Sequence, residues 1–222
     1  MEETRIPLEN KTAISLSNSE VIAGLKEALN LAISHSTSLA SKADGFNGNS
    51  LIRLPFPQDA IRVKEFLDEK GLLQNQLATF ETTLNRAAED ASKTATPIFL
   101  DAIKNMSIQD GFAILKGGEG AATNFLKQKT TSQLIAAFSP IAQASVDKVE
   151  LTKQWNPLAN LYNKSTRFSK QEKVTADLDQ YVTNKAIEGL FTLMAIEENK
   201  IRKDPESRVT DVLKKVFSSL DN

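Results

Sequence analysis

The chain has 222 residues, 41% of them hydrophobic and 25% charged; that is ordinary globular usage and excludes disorder of the whole chain. Lys plus Arg is 27 and Asp plus Glu is 28, a formal net charge of -1, so no broad field draws in nucleic acid or an anionic membrane. With no cysteine and one histidine, disulfides, thiolate nucleophiles and histidine-cluster metal sites are excluded.

Residues 1–111 hold 11 basic and 15 acidic side chains, hence -4, and residues 112–222 hold 16 and 13, hence +3. The excess is spread along helices, which reads as solvated faces, and no nucleic-acid partner is expected. Met1 to Asn10 carries no apolar stretch of the kind a signal peptide needs. The longest apolar run, Leu190–Ile196, is broken by Thr192 and far shorter than the ~20 residues of a membrane span.

Residues 1–16 read as a flexible arm, and 17–222 as a single all-helical domain. Ser17-Asn18-Ser19-Glu20 is a capping box, flanked by Leu16 and Val21 at the spacing of a hydrophobic staple. Ile22, Leu25, Leu29, Ile33 and Ala40 then keep the spacing of one buried helical stripe, to about Ser41. Asp44-Gly45-Phe46-Asn47-Gly48-Asn49 is a turn-rich loop. Residues 51–57 are extended, since Pro55 and Pro57 push their predecessors away from helical angles, and their apolar side chains cap one end of the core.

A second helix spans about Gln58–Lys70 and stops at Gly71, with Leu72 as the contact beyond the cap. Leu73, Leu77, Phe80, Leu84, Ala87, Ala88 and Ala91 carry a third, which Pro97 kinks or breaks; helix resumes through Ile98–Asn105. Ser107 with Asp110 caps a short helix that ends at Gly117-Gly118. Thr130 with Gln133 repeats the capping signal before a helix over about 131–149, where Ser139-Pro140 suggests a second kink or a new start.

Trp155–Tyr162 reads as one short helix and Thr166–Thr175 as an exposed loop. A long helix covers about Asp177–Lys203. Its middle, Leu190–Ile196, is apolar nearly all round, which places it at the bundle centre. Lys200, Arg202 and Lys203 offset its negative end. Asp204-Pro205 caps a last helix with Val209, Val212, Val216 and Leu220 on one face. The fold class is therefore all-α: a multi-helix, bundle-like domain with kinked helices.

Several blocks resemble a bacterial family catalogued as domain of unknown function 4197. They are Gly24–Leu29, Asn85–Glu89, Asp101–Lys104, Ile114–Gly118, Gly189–Phe191, Lys200–Arg202, Asp204-Pro205 and Leu213–Phe217. They run in the expected order over most of residues 21–217. The resemblance implies an all-helical domain and, commonly, a precursor with an export or lipoprotein signal, hence a periplasmic or lipid-anchored protein. The family has no established activity, so it supplies no catalytic residues.

Reactive chemistry is sparse. His35 lies about 110° from the apolar stripe of its helix at ~100° per residue, at the flank or in solvent. Gly118–Thr123 superficially resembles a dinucleotide fingerprint, but a helix precedes it and Thr123 replaces the third glycine. It reads as a helix C-cap and a tight turn, and no cofactor is expected. Free amides at the start of the next helix, with Lys116, Gly117 and Gly118 beside them, are a candidate anion site. Arg86 and Glu89 form a three-residue pair, exposed or shared with another segment such as Asp101 and Lys104 beyond Pro97. Glu197-Glu198 and Asp177/Asp179 read as solvated carboxylates, and no metal site is expected. Phe191, Met194, Trp155, Tyr162 and Tyr181 read as core.

The reading that follows is a non-enzymatic binding or structural protein of the envelope, with an unknown protein or a small apolar ligand as partner. One alternative is an enzyme that works through Arg86, Glu89, Asp101 and Lys104 without His or Cys. Another is a lipid-binding or apolar small-molecule-binding protein.

Overall fold

A computed structural model describes residues 17–148, 151–166, 178–208 and 211–218. These residues form helices α1 (Asn18–Ser41), α2 (Gln58–Glu69), α3 (Gln74–Ser92), α4 (Ala95–Lys104), α5 (Ile108–Lys116), α6 (Ala121–Lys148), α7 (Leu151–Ser165), α8 (Leu178–Lys203) and α9 (Asp211–Ser218). A 3-10 turn, Pro205–Ser207, precedes α9. No strand occurs among the described residues, so the all-α expectation holds. The flexible arm, the staple residue Leu16, most of the 166–175 loop, Val209 and Leu220 lie outside the described residues.

Local chemistry sets three of the helix ends. The Ser17 hydroxyl accepts from the Glu20 amide at 3.3 Å, and the Glu20 carboxylate accepts from the Ser17 amide at 2.8 Å. Ser107 and Asp110 do the same for α5, at 3.1 and 3.0 Å. At the end of α2 the Leu72 amide reaches back to Leu67 and the Gly71 amide to Asp68, while Gly71 takes φ +63°. That is a Schellman cap. Leu72 stays 41% exposed, so the cap forms without a buried contact at Leu72.

The proline expectations need correction. α3 breaks at Lys93–Thr94, and Pro97 sits in the first turn of α4 rather than at the break. The cause is the ring, which denies a bond to the carbonyl four residues back, that of Lys93. α4 therefore begins three residues before the expected Ile98. α6 has no new start at Thr130 or at Pro140 but runs unbroken from Ala121 to Lys148. The Thr130 hydroxyl donates to the Leu126 carbonyl at 2.7 Å, a mid-helix bond rather than a cap. Pro140 and Ala136, whose carbonyl the ring cannot bond, are both exposed, so the lost helical bond falls on the solvent side of α6. α7 is longer than expected and holds Pro157 within it.

One contiguous apolar core joins all nine of these helices. α8 packs against α1, α3 and α6. Its stripe of Val182, Ala186, Leu190, Leu193, Met194 and Ile201 is buried. Burial is one-sided, however: Ile196 is 41% exposed, and Thr192 and Ala195 are half-buried. Ile52, Leu54 and Phe56 of the extended segment are buried against the bundle, as expected.

Candidate functional site

Two buried carboxylates organise the backbone. Glu89 lies on α3 at 3% exposure. One of its oxygens accepts from the amides of Phe46 and Asn47, at 3.1 and 3.2 Å. The other accepts from Arg86 Nη1 at 2.7 Å. The same guanidinium reaches Asp44 Oδ1 at 2.8 Å. The pair thus clamps the 44–47 loop, which carries the fully buried Phe46. Asp44 itself sits at φ +60°. An Asn47 side-chain bond, then Arg86, holds the Asp44 carboxyl below its ordinary value, and the bond to Glu89 raises Arg86.

Glu198 repeats the arrangement on α8. Oε1 accepts from the Ala122 amide at 3.0 Å and Oε2 from the Thr123 amide and hydroxyl at 2.9 and 2.8 Å. Arg202 Nε adds a bond to Oε1 at 3.0 Å, and its Nη2 donates to the Ile114 carbonyl at 2.8 Å. The amides at the start of α6 do face an anion, and that anion is the chain's own. Glu198 was read from sequence as a solvated neighbour of Glu197, but it is 7% exposed. The signal was available. Leu190, Met194, Glu198 and Ile201 share one α8 stripe, and Arg202 lies four residues on.

The other candidates sit apart from these anchors. Lys116 is exposed, Gly117 caps α5 and Gly118 takes φ +73° in the turn before α6. Lys104 is exposed, and its carbonyl accepts from Lys26 Nζ at 3.0 Å. Asp101 takes no part in the Arg86–Glu89 cluster. It lines an open groove of about 200 Å³ between α4, α5 and α6, with Asn105, Asp110, Phe125, Lys129 and Gln133. His35 is half-exposed, its Nδ1 3.0 Å from Glu197.

The aromatics pack as core. Trp155 lies against Phe80, Phe191 edge-on to Phe99 and Tyr162 edge-on to Phe66, with centroids 5.4, 5.7 and 5.7 Å apart. Tyr181 donates to the Pro55 carbonyl at 2.6 Å. Burial, then Glu188, pushes its phenol up to about 12. Met194, Leu25, Leu29, Leu126 and Phe217 line an apolar cavity of about 20 Å³, room for little more than one water. Among the described residues no group of three or more His, Asp or Glu side chains is placed to hold a metal ion. Nor is any helix among them long and apolar enough to cross a membrane.

Fold and anchors define an all-helical protein whose buried charges hold its own backbone. The model of a family described as a protein of unknown function, DUF4197, matches residues 15–218. The chain belongs to that family. Comparisons with curated proteins and with solved structures return no match.

Proposed function

We propose that this domain is a non-enzymatic binding or structural protein of the bacterial envelope. One observation carries the reading. Glu89 and Glu198 are the two buried carboxylates among the described residues. Together they accept from four main-chain amides, two arginines and a hydroxyl of the chain itself. Groups whose oxygens are all engaged by the chain itself build a frame and leave no free oxygen for a substrate. The enzyme alternative needs Asp101 and Lys104 beside Arg86 and Glu89, and neither side chain joins them. The 20 Å³ cavity is too small for a lipid chain. The envelope placement rests on the export or lipoprotein signal that precursors of the resembled family commonly carry.

The test is site-specific photo-crosslinking in the native host, with cell fractionation. Probes at Asp101 and Lys129 are compared with one at the exposed Lys70. Envelope fractionation and one discrete adduct at the first two positions support the reading. A purely cytosolic protein, or equal labelling at all three positions, overturns it.

A further inference from the structure

The groove between α4, α5 and α6 differs in kind from the two anchor sites. At Glu89 and Glu198 every charge is spent on the chain itself. In the groove, Asp101, Asn105, Lys129 and Gln133 present side chains with no hydrogen-bond or ion-pair partner among the described residues. Asp101 and Asn105 come from the last turn and the cap of α4. Lys129 and Gln133 lie four residues apart, on one face of α6.

Asp110, on the first turn of α5, closes one end. Its carboxylate accepts from the Ser107 hydroxyl at 2.7 Å and the Ser107 amide at 3.0 Å, and these bonds, with the charge of Lys129, hold it below the ordinary carboxyl value. Phe125 is half-buried in the floor, with Lys129 Nζ 5.7 Å from its ring centroid.

The Asp101 carboxylate and the Lys129 ammonium thus line one concave surface with no ion pair to either, while Lys129 also acts on the Asp110 carboxyl through its charge. Charges of opposite sign on one concave surface, not joined to each other, complement a molecule that carries both signs itself. We infer that this groove binds a small zwitterion of the amino acid class, a free amino acid or a dipeptide. The ligand's ammonium lies against Asp101, within the field of Asp110. Its carboxylate lies against Lys129, and the amides of Asn105 and Gln133 bond its remaining polar atoms. At about 200 Å³ the groove is below the roughly 300–1,000 Å³ of sites for drug-sized molecules, which sets the size class. The inference deepens the binding reading above by naming a ligand class for this surface.

Amide chemical-shift titration of the full chain tests it. The probes are dialanine, ethylammonium chloride, sodium acetate and the uncharged N-acetylalaninamide. Saturable shifts confined to residues 101–110 and 125–133 are expected with dialanine, and much weaker ones with each single-charge probe. Asp101→Asn and Lys129→Gln alter exposed side chains, and each lowers dialanine affinity about tenfold or more with an unchanged thermal midpoint. Lys70→Gln leaves affinity unchanged.

Absence of saturation with dialanine overturns the inference. So does equal affinity for ethylammonium, which makes the groove a cation site. Recovery of the dialanine separates the two readings. Hydrolysed dipeptide sinks the non-enzymatic reading and leaves the zwitterion site standing. Intact but unbound dipeptide does the reverse.

Discussion

Glu198 on α8 holds Thr123 at the start of α6 twice, through the main-chain amide at 2.9 Å and the hydroxyl at 2.8 Å. The helix start thereby gains its counter-charge from 75 residues away in sequence. Glu198→Ala leaves Arg202, only 11% exposed, without its counter-charge and the α6 amides unmet. We expect a loss of about 3–5 kcal/mol in urea unfolding. Adding Arg202→Met to Glu198→Ala should recover part of it, because the orphaned charge is removed. Equal stability of Glu198→Ala and the parent would show that the clamp is solvated.

Asn85 serves the extended segment as a neighbouring strand would. Its Oδ1 accepts from the Leu54 amide at 2.8 Å, and its Nδ2 donates to the Leu54 carbonyl at 3.1 Å. Both atoms of Leu54 lie where water does not reach. Asn85→Ala strands them and should cost about 1–3 kcal/mol. Asn85→Asp should be worse than Asn85→Leu near neutral pH, since an anionic oxygen then faces the Leu54 carbonyl. Denaturant midpoints rank the three variants, and an Asp variant at parent stability would refute the pairing.

What the sequence disclosed follows the range of each interaction. The caps at Ser17, Gly71 and Ser107 are complete within a few residues, so their letters suffice. Arg86 and Glu89 were legible as a pair because they lie one turn apart. Their partners, Asp44 for Arg86 and the Phe46 and Asn47 amides for Glu89, are over 40 residues away, and no helical wheel carries that distance. Pro97 misplaced the break because its clash acts four residues upstream. Thr130 and Gln133 matched a cap pattern, but tertiary packing kept the helix running through them. The groove on α4–α6 was not legible: the sequence offers Asp101 as a partner for Arg86 and Glu89, and the structure sets it in a groove with α5 and α6 instead. Lys129 belongs to a helix whose spatial neighbours the sequence does not name.

Gly71 adopts φ +63°, with open space where a side chain would stand. Conformation alone therefore selects glycine there. Gly71→Ala should cost roughly 1–2 kcal/mol, and Gly71→Asn less, because Asn tolerates the left-handed region. Thermal melts of both variants decide it, and equal losses would point to a steric cause.

Acid should weaken the fold in a defined window. Hydrogen bonds, first to Ser17, Asn47, Ser107 and Ser207, hold Glu20, Asp44, Asp110 and Asp204 below their ordinary values of 4.5 for Glu and 3.8 for Asp. A lowered folded-state pKa adds stability above the unfolded value and loses it as pH falls through the folded one. The melting temperature should be flat from pH 7 to 5 and decline below about 4.5. Tyr181 works at the other end. Its phenol, pushed from 10.0 to about 12, contributes stability below pH 10 that is lost toward 12. Phenolate absorbance should show a late titration that Tyr181→Phe abolishes.

Gly189 marks the closest approach of α8 to the clamped loop. A Cβ there would stand 2.6 Å from Phe46 Cε1 and 3.3 Å from Ile52 Cβ. Two effects of opposite sign meet in Gly189→Ala. Alanine gains about 1 kcal/mol of helix propensity over glycine. Overpacking costs about 1–3 kcal/mol, and here it is at the high end, because Phe46 is fully buried and its loop is tied to Glu89. Net destabilisation is expected. Phe46→Leu removes the ring edge that a methyl would strike, so Gly189→Ala should be tolerated better in that background. A double-mutant cycle by denaturant unfolding should therefore give a favourable coupling. Additive losses would mean that α8 moves aside as a body and that the Glu89 clamp does not fix the loop against it.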